Sequence, residues 1–192
     1  NKKVWILFQN PDDHVLFSHN KITYPGHAFI IRGSGVDLQE FVYSTIPKGR
    51  EKIILVARML WDKGIGEFVE AASIIKQQGL DVEFVLVGSV DSGNPKSIAI
   101  EQLEQWNNSG IVNWLGERSD IFQLLTESHI AVLPSYREGL PKSLIEAAAV
   151  GRPIITTNVT GCREVVKDGV NGFLVPVRNA NELALAIQKM ID

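Results

Sequence analysis

Ile130-Ala-Val-Leu133, Pro134-Ser-Tyr-Arg-Glu138-Gly-Leu-Pro141, Lys142-Ser-Leu-Ile-Glu146-Ala-Ala-Ala-Val150-Gly151 is one continuous stretch of the chain. Its first four residues are apolar at every position, which suits a parallel strand covered on both faces. A polar loop follows. A segment of helical period then runs from about Pro141 to Val150, with Pro suited to a first turn and Gly151 to a stop. The same alternation extends both ways from this stretch. Upstream, strands are expected at Val4–Phe8, Ala28–Ile31, Ile53–Ala57, Val82–Val87 and Ile111–Leu115; downstream, at Pro153–Thr156 and Phe173–Val175. Between them, Ile65, Phe68, Val69, Ala72 and Ile75 recur at i, i+3, i+4 and i+7, as do Leu183, Ile187 and Met190 after a potential cap at Asn179. Repeated strand–helix alternation predicts an α/β fold, a Rossmann-like doubly wound parallel sheet flanked by helices.

The bulk numbers agree and narrow the function. With 45% hydrophobic and 21% charged residues, the 192-residue chain can build a globular core. Its net charge of −3 is mixed along the chain without a basic tract, so nucleic acid is a poor partner. One cysteine, Cys162, forbids an internal disulfide, fits a reducing cytosolic setting and, with four scattered histidines, leaves no zinc cluster. Cys162 is expected to be a small buried residue rather than a nucleophile, and His129 a structural one. No apolar run reaches the ~20 residues that span a bilayer.

The stretch from Gly33-Ser-Gly35 through Pro47 and Gly49 interrupts the pattern. It divides the chain into residues 1–31, too short for a domain and expected to be the tail of a preceding one; a linker at 32–51; and a domain at 52–192. Residue 1 is Asn, and the whole is expected to be a fragment of a longer protein. Asp12 and Asp13, following Pro11, read as a helix start.

Ligands of open α/β sheets bind at the carboxyl ends of strands. At one such end lie Arg58 and Lys63, two cations beside a helix start, which together suit a diphosphate. The spacing alone fits a solvated surface pair equally well. At another lie Glu138 and Glu146. Eight residues of helix would separate them by roughly 12 Å, so they cannot grip one atom but can hold two ends of an extended ligand, with phosphates on the helix N-terminus between them. The plainer alternative is a capping Glu138 and a surface Glu146. Gly139 permits close backbone approach. The loop Gly116-Glu-Arg118-Ser-Asp120 can border a base, or simply be a loop capped by Ser119 or Asp120. The rim loop Gly88–Gly93 is a weaker candidate.

In order along the chain, Ile31-Arg-Gly-Ser-Gly-Val-Asp37, Ala57-Arg58, Lys63-Gly64, Phe84–Gly88, Val112–Gly116, Glu138 to Glu146, Ala147–Pro153, Gly161–Val166 and Asn171–Pro176 resemble the retaining glycosyltransferases of the large group 1 family (family 4). The resemblance covers about residues 28–192, the family's C-terminal, donor-binding half of a GT-B fold. It implies that Arg58 and Lys63 neutralise the donor diphosphate as leaving group. Glu138 would meet the donor sugar and Glu146 the ribose, the backbone from Gly139, Leu140 and Pro141 to Lys142 would face phosphates and sugar, and Arg118 would border the base. It further implies no metal and no cofactor beyond a nucleotide-diphosphate sugar, UDP by family frequency. The acceptor would be a glycan or lipid-linked molecule held by the missing N-terminal domain, with transfer by retention in polysaccharide biosynthesis. The parent would be cytoplasmic and peripheral at the inner membrane face, and the fragment alone inactive. Two other readings stay open: a different GT-B enzyme such as a nucleotide-sugar epimerase, and a non-catalytic nucleotide-binding module.

Overall fold

The computed structural model describes residues 4–24 and 26–191; residues 1–3, Pro25 and Asp192, which fall in the expected N-terminal and last segments, lie outside the described residues. The chain opens with a small βαβ unit of β1 (Ile6–Phe8), α1 (Pro11–His19) and β2 (Ala28–Ile30), whose two strands are parallel with Ile6 opposite Ala28. Asp12 and Asp13 fill the first turn of α1, the helix start expected there, and Asn10 caps it. An irregular stretch follows. Then come β3 (Glu51–Val56), α2 (Ile65–Gln77), β4 (Val82–Val87), α3 (Ile100–Asn108), β5 (Asn113–Trp114), α4 (Ile121–Thr126), β6 (Ile130–Leu133), α5 (Lys142–Val150), β7 (Ile154–Thr157), β8 (Gly172–Val175) and α6 (Ala180–Ile191).

The last six strands form one parallel sheet in the order β5-β4-β3-β6-β7-β8. The chain winds outward from β3 in one direction, returns, and winds outward from β6 in the other. β3 and β6 are therefore adjacent strands whose following loops leave in opposite directions, which opens a crevice at their carboxyl ends.

Burial follows the sequence periods. β6 and β7 are buried along their whole length between helical layers; β7 ends in Thr156 and Thr157, whose buried hydroxyls donate to the Leu133 and Ser135 carbonyls. On α2 the buried residues include Ile65, Phe68, Val69, Ala72 and Ile75. Phe68 is fully buried and meets Phe84 of β4 edge-on at 5.5 Å; its removal from water contributes about 2–3 kcal/mol, and Phe68→Ala would cost about 3–5 kcal/mol. Leu183 and Ile187 of α6 are buried and Met190 half-buried. Asn179 accepts the Glu182 N–H at 3.0 Å, the N-terminal cap anticipated for α6.

Several boundaries differ; β3, for one, runs Glu51–Val56 where Ile53–Ala57 is expected. β1 begins at Ile6 rather than Val4. β5 is two residues instead of five, since only Asn113 and Trp114 pair with β4; the Asn107 side chain takes the Trp114 N–H at 2.9 Å. Pro141 precedes α5 instead of opening it: its ψ of 112° is extended, so the helix starts at Lys142. The irregular stretch is anchored. Phe41 is buried against Phe122, and Arg152, itself buried, donates to the carbonyls of Ser44, Ser128 and Val150. Burial pulls the Arg152 pKa down, and four acceptors hold the charge in place, the Ser44 hydroxyl at 2.9 Å among them. By contrast, the β1–β2 unit leaves Trp5, Leu7 and Phe29 about half exposed.

Candidate active site

β3 ends at Val56, and the chain turns through Arg58 into a 3-10 turn, Trp61–Lys63, before α2. Gly64 joins the two with φ +73°. A side chain there would be strained, and its Cβ would overlap the Pro134 carbonyl oxygen. The loop after β3 thus packs backbone-to-backbone against the loop after β6. Asp62 seals the contact: its carbonyl accepts the Ser135 hydroxyl at 3.0 Å and the Tyr136 N–H at 2.9 Å. This approach carries Lys63 to Glu138, with Nζ 2.6 Å from Oε1.

Arg58, Lys63, Glu138, Pro141, Lys142 and Ser143 line one small hollow of about 160 Å³ at the carboxyl ends of β3 and β6. No side chain caps α5, whose first turn opens at its rim, so the leading N–H groups of the helix lack intrahelical partners and carry partial positive charge. Glu146 lies further along α5 and is buried, not on the surface; Lys142 Nζ stands 3.2 Å from its Oε1. Glu138 sits three residues before the extended Pro141, so the helical span estimated between the two glutamates does not apply; only the second half of that stretch is helix.

The charges of this rim are matched in pairs. Lys63 meets Glu138, Lys142 meets Glu146, and Arg58 Nη1 meets Asp91 Oδ2 at 2.6 Å. Arg58–Asp91 is largely exposed, so it contributes little, about 0–1 kcal/mol. Lys63–Glu138 is better shielded, with side chains 21% and 11% exposed, so loss of either partner leaves a poorly solvated charge. A diphosphate entering here would compete with three carboxylates for three cations.

Arg118 is not gathered into the hollow. Its loop follows the outer strand β5, and its guanidinium folds back onto Asp120, with Nε 2.8 Å from Oδ1. That hydrogen bond holds the Asp120 carboxyl below its usual range. It also explains why Asp120 occupies the N-cap position of α4 without capping it. Leu140 is half-buried against Gly33 of the irregular stretch. His129 is buried and accepts the Lys52 N–H at 3.0 Å, tying β6 to β3 far from the hollow. Cys162 is buried too, and burial pushes its thiol up to about 11.

Sequence spacing did not reveal Asp91, which was in view only as part of a weaker rim loop, or Tyr136, whose hydroxyl donates to Glu67 at 2.6 Å while Arg178 lies 4.6 Å above its ring. Burial raises the Tyr136 pKa to about 12, helped by Glu67. These partners are distant in sequence, and no short motif marks them. A larger hollow, about 540 Å³, is elsewhere, where Pro153 leads into β7 and Gly172 opens β8. Its cations are engaged: Arg152 on carbonyls and Lys189 over the Phe173 ring. Among the described residues, no group of three His, Cys, Asp or Glu is arranged to hold a metal, and no helix is long and apolar enough to cross a membrane.

Comparison with known proteins gives consistent results. The family model of glycosyl transferases group 1 matches residues 38–192. An N,N'-diacetylbacillosaminyl-diphospho-undecaprenol alpha-1,3-N-acetylgalactosaminyltransferase of Campylobacter jejuni is 34% identical, the match covering 85% of this chain and 45% of that protein. A UDP-Gal:alpha-D-GlcNAc-diphosphoundecaprenol alpha-1,3-galactosyltransferase of Escherichia coli is 32% identical, covering 83% and 44%. The chain thus spans a little under half the length of these relatives. Among solved structures, HepE of Anabaena in complex with UDP and glucose superposes with a TM-score of 0.83 at 22% identity, covering 98% of this chain and 53% of that one; the likeness is one of fold.

Proposed function

Because the chain belongs to the glycosyl transferases of group 1, we propose that it is the donor-binding half of an enzyme moving a sugar from a nucleotide diphosphate to an acceptor. The observation that carries this reading is the convergence of Arg58, Lys63 and Glu138 on one hollow between β3 and β6, beside the uncapped start of α5. The diphosphate lies against Arg58, Lys63 and the backbone from Gly139, Leu140 and Pro141 to Lys142, where the first N–H groups of α5 point outward. The sugar meets Glu138 and the ribose meets Glu146. As the anomeric C–O bond to phosphate breaks, negative charge grows on the leaving oxygen. Arg58 and Lys63 stabilise it there, in the role a divalent ion would otherwise fill, so the transfer needs no metal. Arg118 borders the base once it exchanges Asp120 for the ligand.

The donor is UDP-linked, in keeping with a UDP-Gal-using relative. The acceptor is a glycan or lipid-linked molecule, in keeping with the diphospho-undecaprenol substrates named for both relatives. Transfer proceeds with retention. Residues 1–31 are the end of an acceptor domain, 32–51 the linker and 52–192 the donor domain. The half-exposed Trp5, Leu7 and Phe29 support this division, since a preceding domain would cover them. The parent is cytoplasmic and meets lipid-linked acceptors peripherally at the membrane, while this chain alone transfers nothing.

Calorimetric titration of UDP, GDP and ADP into the chain, with Arg58→Ala alongside, tests the reading. It expects UDP to bind and Arg58→Ala to weaken it at least about tenfold, the value of one charged hydrogen bond. No binding by any nucleotide favours a non-catalytic module, and product analysis with the parent enzyme separates transfer from epimerisation.

A further inference from the structure

The loop that carries Glu138 is held from two sides. Its first half is fixed within the six-stranded unit: Ser135 and Tyr136 bond to the Asp62 carbonyl, and Tyr136 reaches Glu67. Its second half is fixed by the chain before β2. Asn10 Nδ2 donates to the Gly139 carbonyl at 2.9 Å, and Asp13 pairs with Arg137, so the residues on either side of Glu138 are both tied to the start of α1. A methyl group on Gly139 would run into the Gln9 side chain, which shows how closely the two segments approach. Asp12 extends the contact to the next loop, taking bonds from Arg163 Nη2 at 2.9 Å and Thr160 Oγ1 at 3.2 Å. The Thr160 carbonyl in turn accepts the Glu138 N–H at 3.3 Å.

Asn10 is the pivot. It is only 1% exposed. Its Oδ1 accepts the Asp13 N–H at 2.8 Å as the cap of α1, which orients its amide so that Nδ2 faces Gly139. Capping alone demands only an acceptor, and Ser, Asp and Asn serve about equally. The Gly139 carbonyl demands a donor. Asn supplies both from one side chain, with its carbonyl on the helix and its amine on the loop. Asp would place a carboxylate against the Gly139 carbonyl and Asp13, while Ser is too short to do both.

We propose that Asn10, with Asp13, is a positioning residue for the donor-sugar contact: it holds Arg137–Gly139 so that Glu138 faces the hollow, and it links the placement of the N-terminal segment to the sugar end of the site. The sugar-specific part rests on the donor reading above; the mechanical part does not. Asn10→Ser keeps the cap and removes the donor to Gly139, so hydrogen exchange of the free protein reads the mechanical part directly. Amides of residues 134–140 are expected to exchange faster in Asn10→Ser, while those of β4 and α1 remain as in the wild type. Titration then reads the consequence. UDP-N-acetylglucosamine is expected to bind about two- to tenfold more weakly, the worth of one hydrogen bond, and UDP alone within about twofold of wild type. Unchanged exchange at 134–140, or faster exchange in α1 alone, overturns the latch. Faster loop exchange with equal losses for UDP and UDP-N-acetylglucosamine overturns its role at the sugar. A wild type that binds neither ligand overturns the donor reading and the sugar-specific claim with it, while the exchange result still decides whether the latch exists.

Discussion

Replacing Glu138 by Gln should separate the two halves of the donor. In the free protein Glu138 Oε1 is 2.6 Å from Lys63 Nζ. A phosphate oxygen accepting its own bond from that ammonium at about 2.8 Å comes within roughly 5 Å of the carboxylate. Two unit negative charges at about 5 Å repel by about 3 kcal/mol at an effective dielectric constant near 20 and by about 1 kcal/mol in water. Glu138→Gln removes that repulsion and frees Lys63, so UDP without a sugar should bind more tightly by about 1–3 kcal/mol, roughly five- to 150-fold. The sugar should lose by the same change. A hydroxyl bonded to a carboxylate is worth about 1.5–3 kcal/mol against about 0.5–1.5 for a neutral partner. The preference for UDP-sugar over UDP should therefore fall about five- to tenfold. Isothermal titration of UDP and UDP-N-acetylglucosamine into both proteins measures each quantity. Weaker UDP binding by Glu138→Gln with an unchanged sugar preference would refute the placement of phosphate and sugar on opposite sides of this carboxylate.

Other perturbations follow from the same contacts. Asp91→Asn releases Arg58 from its exposed partner and should tighten UDP by up to about 1 kcal/mol, the ceiling for such a pair, an effect that 0.5 M salt should erase; weaker binding would mean Asp91 orients Arg58 rather than competing for it. Gly64→Ala puts a side chain at φ +73° into the Pro134 carbonyl, and urea unfolding should show a loss of about 2–4 kcal/mol; wild-type stability would mean the two loops can separate freely. The Cys162 thiol, raised to about 11 by burial, should resist a thiol reagent at pH 8 until the protein unfolds. Its folded pKa lies above the unfolded value of about 8.5, so this group's stabilising contribution is full below that pH and declines as pH climbs toward 11.

Most strands and the inward faces of α2 and α6 were legible because buried parallel strands and amphipathic helices leave periods of their own in a sequence. Element ends were less legible where local backbone geometry decides them, as at β5, where only Asn113 and Trp114 pair with β4, and at α5, where ψ at Pro141 is extended. Within the site, Arg58, Lys63, Glu138 and Lys142 could be proposed because strand ends mark where an open sheet gathers its loops, and the structure gathers them in one hollow. Arg118 was proposed by the same rule and stands apart, because β5 lies two strands away from β3 and a local carboxylate takes its guanidinium. Asp91, Asn10 and Asp13 were hidden for a different reason. Their partners are 33, 129 and 124 residues away; β4 lying beside β3 brings Asp91 to Arg58, and the start of α1 resting on the loop after β6 brings Asn10 and Asp13 to theirs.

The most direct test of the account is a crystal structure of the chain grown with UDP-N-acetylglucosamine. Diphosphate oxygens are expected about 3 Å from Arg58, Lys63 and the first amides of α5, the ribose on Glu146 and the sugar on Glu138, with the Lys63–Glu138 and Lys142–Glu146 pairs opened or shared. A diphosphate bound elsewhere, for instance beside Arg152 and Lys189 at the amino ends of β7 and β8, or a bound donor that leaves both pairs closed, would contradict it.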